Sequence, residues 1–120
     1  MGEIMKKLLV VLSSCLLLAC GKTGVKEVPI TEPWQSMELP MDNQAKVWWS
    51  DAQQIKLVYG GSKEKIIKAY TENFETHGWV VTNKKISPNQ YNISFAKGNV
   101  VLEVEIYDFE KTGVTIRRVV

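Results

Sequence analysis

The chain has 120 residues and a formal net charge of +2, with acidic and basic residues interspersed along its length. That length allows one small domain, and that charge is too weak and too dispersed for a nucleic-acid footprint. Both cysteines, Cys15 and Cys20, precede the body and His77 is the one histidine, which excludes a disulfide-stapled fold and a cysteine- or multi-histidine-based metal site.

The first element is a leader. Met5-Lys6-Lys7 is a short basic start, and Leu8 to Leu18 is apolar apart from Ser13, Ser14 and Cys15. As helix this stretch measures roughly 16 Å at 1.5 Å per residue, about half of the ~30 Å hydrocarbon core of a bilayer. It therefore has the length of a signal-peptide core rather than of a membrane span. It ends in Leu17-Leu18-Ala19-Cys20-Gly21, which resembles the lipobox of bacterial lipoproteins: Leu, a small residue, then cysteine. The resemblance implies cleavage before Cys20, a lipid on its thiol, and membrane attachment by two or three acyl chains, enough for stable anchoring. Leu12-Ser13-Ser14-Cys15 is a rival box, but it leaves an apolar core of only about five residues, against the usual 7–15. Cleavage after Ala19 by the ordinary secretory route is the other alternative. Gly21 stands where an Asp in Gram-negative lipoproteins implies inner-membrane retention, so in a Gram-negative cell the resemblance implies the outer membrane, facing the periplasm, and in a Gram-positive cell the outer face of the plasma membrane.

Residues 20–43 follow, with Gly21, Gly24, Pro29, Pro33 and Pro40 and no hydrophobic period. They read as a lipidated N-terminus and flexible tether. Trp34 and Met37 are the exceptions, expected either to pack on the edge of the domain or to dock a partner.

The folded domain is expected over 44–120, with about 75–80 ordered residues. Residues 45–49 and 54–59 read as two strands, or as one strand broken at Ser50-Asp51, and Gly60-Gly61 ends the run. Ser62 offers an N-cap oxygen to a helix over 63–77, in which Ile66, Ile67, Tyr70, Phe74 and His77 share one face. Gly78 suits the position after the helix, and Trp79 can fold back on its last turn. A strand over 79–86 and a turn at 87–90 come next.

Tyr91, Ile93 and Phe95 then alternate with Asn92, Ser94 and Ala96, and Gly98-Asn99 is a two-residue hairpin loop with Gly first. That loop sets a register in which Phe95 faces Leu102, Ile93 faces Val104 and Tyr91 faces Ile106. On the opposite face Ser94 meets Glu103 and Asn92 meets Glu105. A slip of one residue would destroy the match. A turn at 110–113 leads to a last strand over 114–120, with Arg117 or Arg118 expected on the polar face near Glu105.

The order implies an α+β fold: one helix packed on an antiparallel sheet of about four to six strands, either helix-grip-like or β-α-β-meander. The run Leu39-Pro40, Ala45-Lys46-Val47, Tyr59, Lys63 to Tyr70, His77-Gly78-Trp79 and Ser94 to Gly98 resembles small exported bacterial domains. It is also similar to the helix-grip domains of lipoproteins in outer-membrane assembly machinery. The sheet face without the helix carries Asn92, Ser94, Glu103, Glu105 and Tyr107, the expected binding face.

Nothing in the sequence assembles catalytic chemistry. His77 lies at a helix C-terminus, where the dipole favours an imidazolium, and no motif gives it a nucleophile or a paired carboxylate. Glu103 and Glu105 point to one face, as residues of a solvated sheet commonly do. Trp48, Trp49 and Trp79 read as core and edge rather than as a stacking platform, since no basic groove accompanies them. Asn92-Ile93-Ser94 matches a glycosylation acceptor inside a strand, and Gly60-Gly61 lacks the lysine of a phosphate loop. The expectation is a non-enzymatic, membrane-anchored module that binds an envelope protein, with no metal and no cofactor beyond the lipid on Cys20. The alternative is a carrier of a small apolar or lipidic ligand held between helix and sheet.

Overall fold

The computed structural model describes residues 26–108 and 110–119. The leader, with Leu17, Leu18, Ala19 and both cysteines, lies outside the described residues. In chain order the elements are β1 (Lys46–Ser50), β2 (Gln54–Tyr59), α1 (Lys63–Thr76), β3 (Val80–Ser87), β4 (Gln90–Lys97), β5 (Val100–Asp108) and β6 (Thr112–Arg118). The strands form one six-stranded sheet in the order β1-β2-β6-β5-β4-β3, antiparallel at each pairing. With one helix on one face, this is the expected α+β architecture, and β3 to β6 are the expected meander of four.

The helix has to travel. It leaves β2, next to one edge, and delivers the chain to β3 at the other edge. Its 14 residues make about 21 Å of helix, and four interstrand spacings make about 19 Å, so one helix suffices for the crossing. Both its ends are built as the local sequence demands. The Ser62 hydroxyl accepts from the Lys65 amide at 3.3 Å. At the other end the Trp79 amide donates to the Phe74 carbonyl at 2.9 Å and the Gly78 amide to that of Glu75 at 3.1 Å. That pair of bonds needs a left-handed residue between them, and Gly78 supplies it at φ 87°. The Trp79 ring then packs on Phe74, with centroids 5.7 Å apart.

The β4–β5 hairpin has the expected register, from Lys97 opposite Val100 to Tyr91 opposite Ile106. Gly98 alone carries the positive φ of the loop, 61°, as a type II′ turn requires. Ile93, Phe95, Leu102, Val104 and Ile106 are all buried beneath the helix side of the sheet. Their partners across β6 and β2, Val114, Ile116, Ile55 and Leu57, continue the same apolar face.

One helix cannot cover six strands, and the chain before β1 covers the remainder. Trp34 is 1% exposed and Leu39 is buried with it, while Val28, Ile30 and Met37 pack on the same core. The spacer expected over 20–43 is therefore a different object. From Val28 onward it is a strap belonging to the domain, which begins well before residue 44. The strap is held by hydrogen bonds as well as by burial. The Val28 amide donates to the Val47 carbonyl at 2.9 Å, the Thr31 amide to the Ser50 hydroxyl at 3.0 Å, and the Trp34 indole to the Asp51 carbonyl at 2.5 Å. Asn73 of α1 donates to the Glu38 carbonyl at 3.2 Å. Asp42 closes the strap by accepting from both Gly60 and Gly61 amides at 3.1 Å. Pro29, Pro33 and Pro40 fit this segment to an irregular path with no hydrophobic period, whose stability comes from tertiary contacts.

Candidate protein-binding face of the sheet

Side chains alternate across a strand, so the register that buries one set of β4–β6 residues displays the other. Asn92 lies opposite Glu105 and Ser94 opposite Glu103. Across the next seam Glu103 faces Arg117, Glu105 faces Thr115 and Tyr107 faces Gly113. All five residues expected on the open face, Asn92, Ser94, Glu103, Glu105 and Tyr107, thus lie side by side on it. Each is half-buried by its neighbours.

The face is a connected polar array. Gln90 donates to Asn92 at 2.9 Å and to Glu105 at 3.1 Å. Arg117 donates to Glu103 and its second nitrogen stands 3.5 Å from Glu105, the carboxylate contact expected of one of the two terminal arginines. The bond to Glu103 and the charges of both glutamates push the Arg117 guanidinium above the ordinary arginine range. Tyr107 and Thr115 hydroxyls are 3.4 Å apart. Toward the β1 side, Lys56 lies over the Trp48 ring, 5.2 Å from its centroid. One guanidinium between two carboxylates leaves the β5–β6 seam acidic, flanked by Lys46 and Lys56 on one side and Lys85 on the other. Sequence reasoning found the carboxylates and left out Gln90, Trp48 and Lys56. By sequence Gln90 reads as a turn residue and Trp48 as core or edge. Gln90 joins the array through the regular β4–β5 pairing, one position beyond Tyr91, whereas Trp48 and Lys56 meet across the β1–β2 pairing, whose register contains a bulge.

The array carries charge and hydrogen-bonding groups. His77 is exposed at the end of α1, its Nδ1 2.7 Å from the Asn73 carbonyl, and it belongs to the helix terminus rather than to this face. Among the described residues no three His, Cys, Asp or Glu side chains converge in a way that could hold a metal ion.

The space between helix and sheet is occupied by side chains. Phe74 and Phe95 rings are 4.5 Å apart and Tyr70 lies 6.0 Å from Phe74. The Tyr59 hydroxyl donates to the Pro40 carbonyl at 2.7 Å and is hydrogen-bonded to the Tyr70 hydroxyl. Burial pushes both phenols up from the ordinary tyrosine range. A recess of about 130 Å³ beside Pro40, Met41, Tyr59 and Ile66 opens at the rim of this layer. Its volume is of the order of an engineered cavity that holds one benzene.

No protein-family model, no curated protein and no solved structure matches this chain. Among the described residues no helix is long and apolar enough to cross a membrane.

Proposed function

We propose that this chain is a lipid-anchored protein of the bacterial envelope that works by binding another protein, without chemistry of its own. The observation that carries the binding half is the open sheet face. It presents a hydrogen-bonded array of half-buried Gln90, Asn92, Glu103, Glu105 and Tyr107, tied together by the exposed Arg117. Long polar side chains held in place by their neighbours lose less freedom on association than free ones, which favours a specific contact. The anchoring half rests on the leader, where a basic start, a short apolar core and Leu17-Leu18-Ala19-Cys20 occur in the order a lipoprotein needs. Acyl chains on Cys20 would hold the body at the membrane surface, in a Gram-negative cell the outer membrane facing the periplasm.

Two experiments test the two halves separately. Globomycin, which blocks the lipoprotein signal peptidase, should make an unprocessed precursor accumulate. An unchanged band, or a Cys20→Ser chain that still fractionates with membranes, defeats the anchoring. Affinity capture of the tagged chain from solubilised membranes should return a stoichiometric envelope protein. A Glu103→Lys, Glu105→Lys double variant should lose that partner while keeping its circular dichroism spectrum. Retention of the partner by the folded double variant would place the contact elsewhere.

A further inference from the structure

The two edges of the sheet are treated differently. The β1 edge lies under the strap, which takes the Val47 carbonyl and the Ser50 hydroxyl. Among the described residues nothing covers the β3 edge. β3 pairs with β4 on one side only, and residues 82–87 are exposed throughout. Beyond the bulge between Val81 and Asn83 the strand runs regularly to Ser87. Every second residue there aims its amide and carbonyl away from the sheet. Ile86 is 74% exposed and Val80 64%, two of the large apolar side chains left in water.

The edge also has a single sign. From Trp79 to Lys97 the chain contains Lys84, Lys85 and Lys97 and no acidic residue. Lys97 is engaged, donating to the His77 carbonyl at 2.7 Å. Lys84 and Lys85 form no ion pair among the described residues. Adjacent in the strand, they point to opposite faces of the sheet.

We infer that the β3 edge is a docking strip for an acidic extended segment of another protein, which adds to the sheet as a seventh strand. The inference goes beyond the open-face reading and uses a different surface. Backbone bonds along 83–87 would supply affinity, and the side chains the choice of partner. The matching segment carries acidic residues opposite Lys84 and Lys85, hence on both of its faces, and an apolar residue opposite Ile86. The same lysines disfavour a second copy of this chain as the occupant. Self-pairing of 83–87 about its centre sets Lys85 of the two copies opposite each other, and like charges directly opposite are destabilising. Lysines that protect an edge from self-association thus leave it open to a strand of opposite charge.

The test is amide NMR on the processed full chain in detergent, titrated with two peptides of about ten residues, one built of Val-Glu-Glu repeats, which put Glu on both faces, and the other of Val-Lys-Lys repeats. The expected result is that the acidic peptide shifts resonances of 82–87 and slows exchange of their amides, in a salt-dependent manner, and the basic peptide does not. A Lys84→Glu, Lys85→Glu variant with an unchanged spectrum elsewhere should bind the acidic peptide roughly tenfold more weakly or worse and accept the basic one. Several results would overturn the inference. These are no shift on β3 at millimolar peptide, equal response to both peptides, or β3 protection by phosphatidylglycerol vesicles in place of the acidic peptide. Concentration-dependent dimers in which β3 is protected would do so as well. None of these bears on the open-face reading, which the Glu103→Lys, Glu105→Lys variant tests.

Discussion

The two ends of this sheet differ in how they meet water. At the β1–β2 end the strap inserts Trp34 and Leu39, ties itself to both strands' turn, and leaves the edge strand with a partner. At the β3 end an eight-residue strand stands nearly bare, held by β4 and by the last turn of the helix. The difference teaches where stability and where interaction can reside. An edge whose outer groups are already bonded contributes to the fold and offers little to a partner. An edge left unpaired adds little to the fold, since surface positions there make few contacts, and keeps its bonding groups for use.

The largest test of that contrast is a pair of truncations. Trp34→Ala should lower unfolding free energy by about 3–5 kcal/mol, the usual cost of emptying a buried aromatic site. Ile86→Ala, at the bare end, should stay within about 0.5 kcal/mol of the parent. Urea denaturation gives both numbers, and comparable losses would erase the distinction between the ends.

The hydroxyl pair beneath the strap sharpens it. Tyr59→Phe removes the link to Pro40 and leaves the fully buried Tyr70 hydroxyl without its partner. It should cost about 1–3 kcal/mol, the price of an unsatisfied buried polar group. Tyr70→Phe leaves Tyr59 bonded to Pro40 and should cost about 1 kcal/mol. Because both phenols titrate above their unfolded value of 10.0, their contribution is complete below that pH. It is lost as pH rises through the folded values, so alkaline unfolding should begin earlier in a strap already weakened at Trp34.

Glu38 is exposed and takes φ 52°, a left-handed conformation that costs a side chain about 1 kcal/mol. Its backbone carbonyl is the group that holds Asn73. Glu38→Gly keeps that bond and should raise the thermal midpoint by a few degrees.

The smallest effect is a pH dependence at the β1–β2 turn. Amides of Gln54 and Gln53, then the Trp49 indole, hold the Asp51 carboxyl below its ordinary 3.8. A depressed carboxylate stabilises the fold above its unfolded value, and that stabilisation fades as pH falls below 3.8 toward the folded value. Asp51→Asn should flatten the acid limb of a stability–pH profile, and a limb of unchanged steepness would remove the turn from the account.

Much of the meander was legible because its information is local. A glycine-first loop between alternating strands sets the pairing from Lys97 and Val100 outward. That pairing, in turn, placed Asn92, Ser94, Glu103, Glu105 and Tyr107 on one face before any coordinate was needed. Ser62, Gly78 and Trp79 bounded the helix for the same reason, since caps act within one turn.

The strap and the two edges belonged to tertiary structure alone. Whether Trp34 is a tether residue or a core residue depends on how much apolar sheet the helix leaves uncovered, and that is known only once β1 and β2 have joined β6. Which strand ends up at the edge, and with it the exposure of Lys84, Lys85 and Ile86, follows from the helix being long enough to carry the chain across the whole sheet. Local sequence determines turns, caps and alternation through contacts a few residues apart. Coverage and edges are decided by surfaces that meet only after the chain has closed on itself.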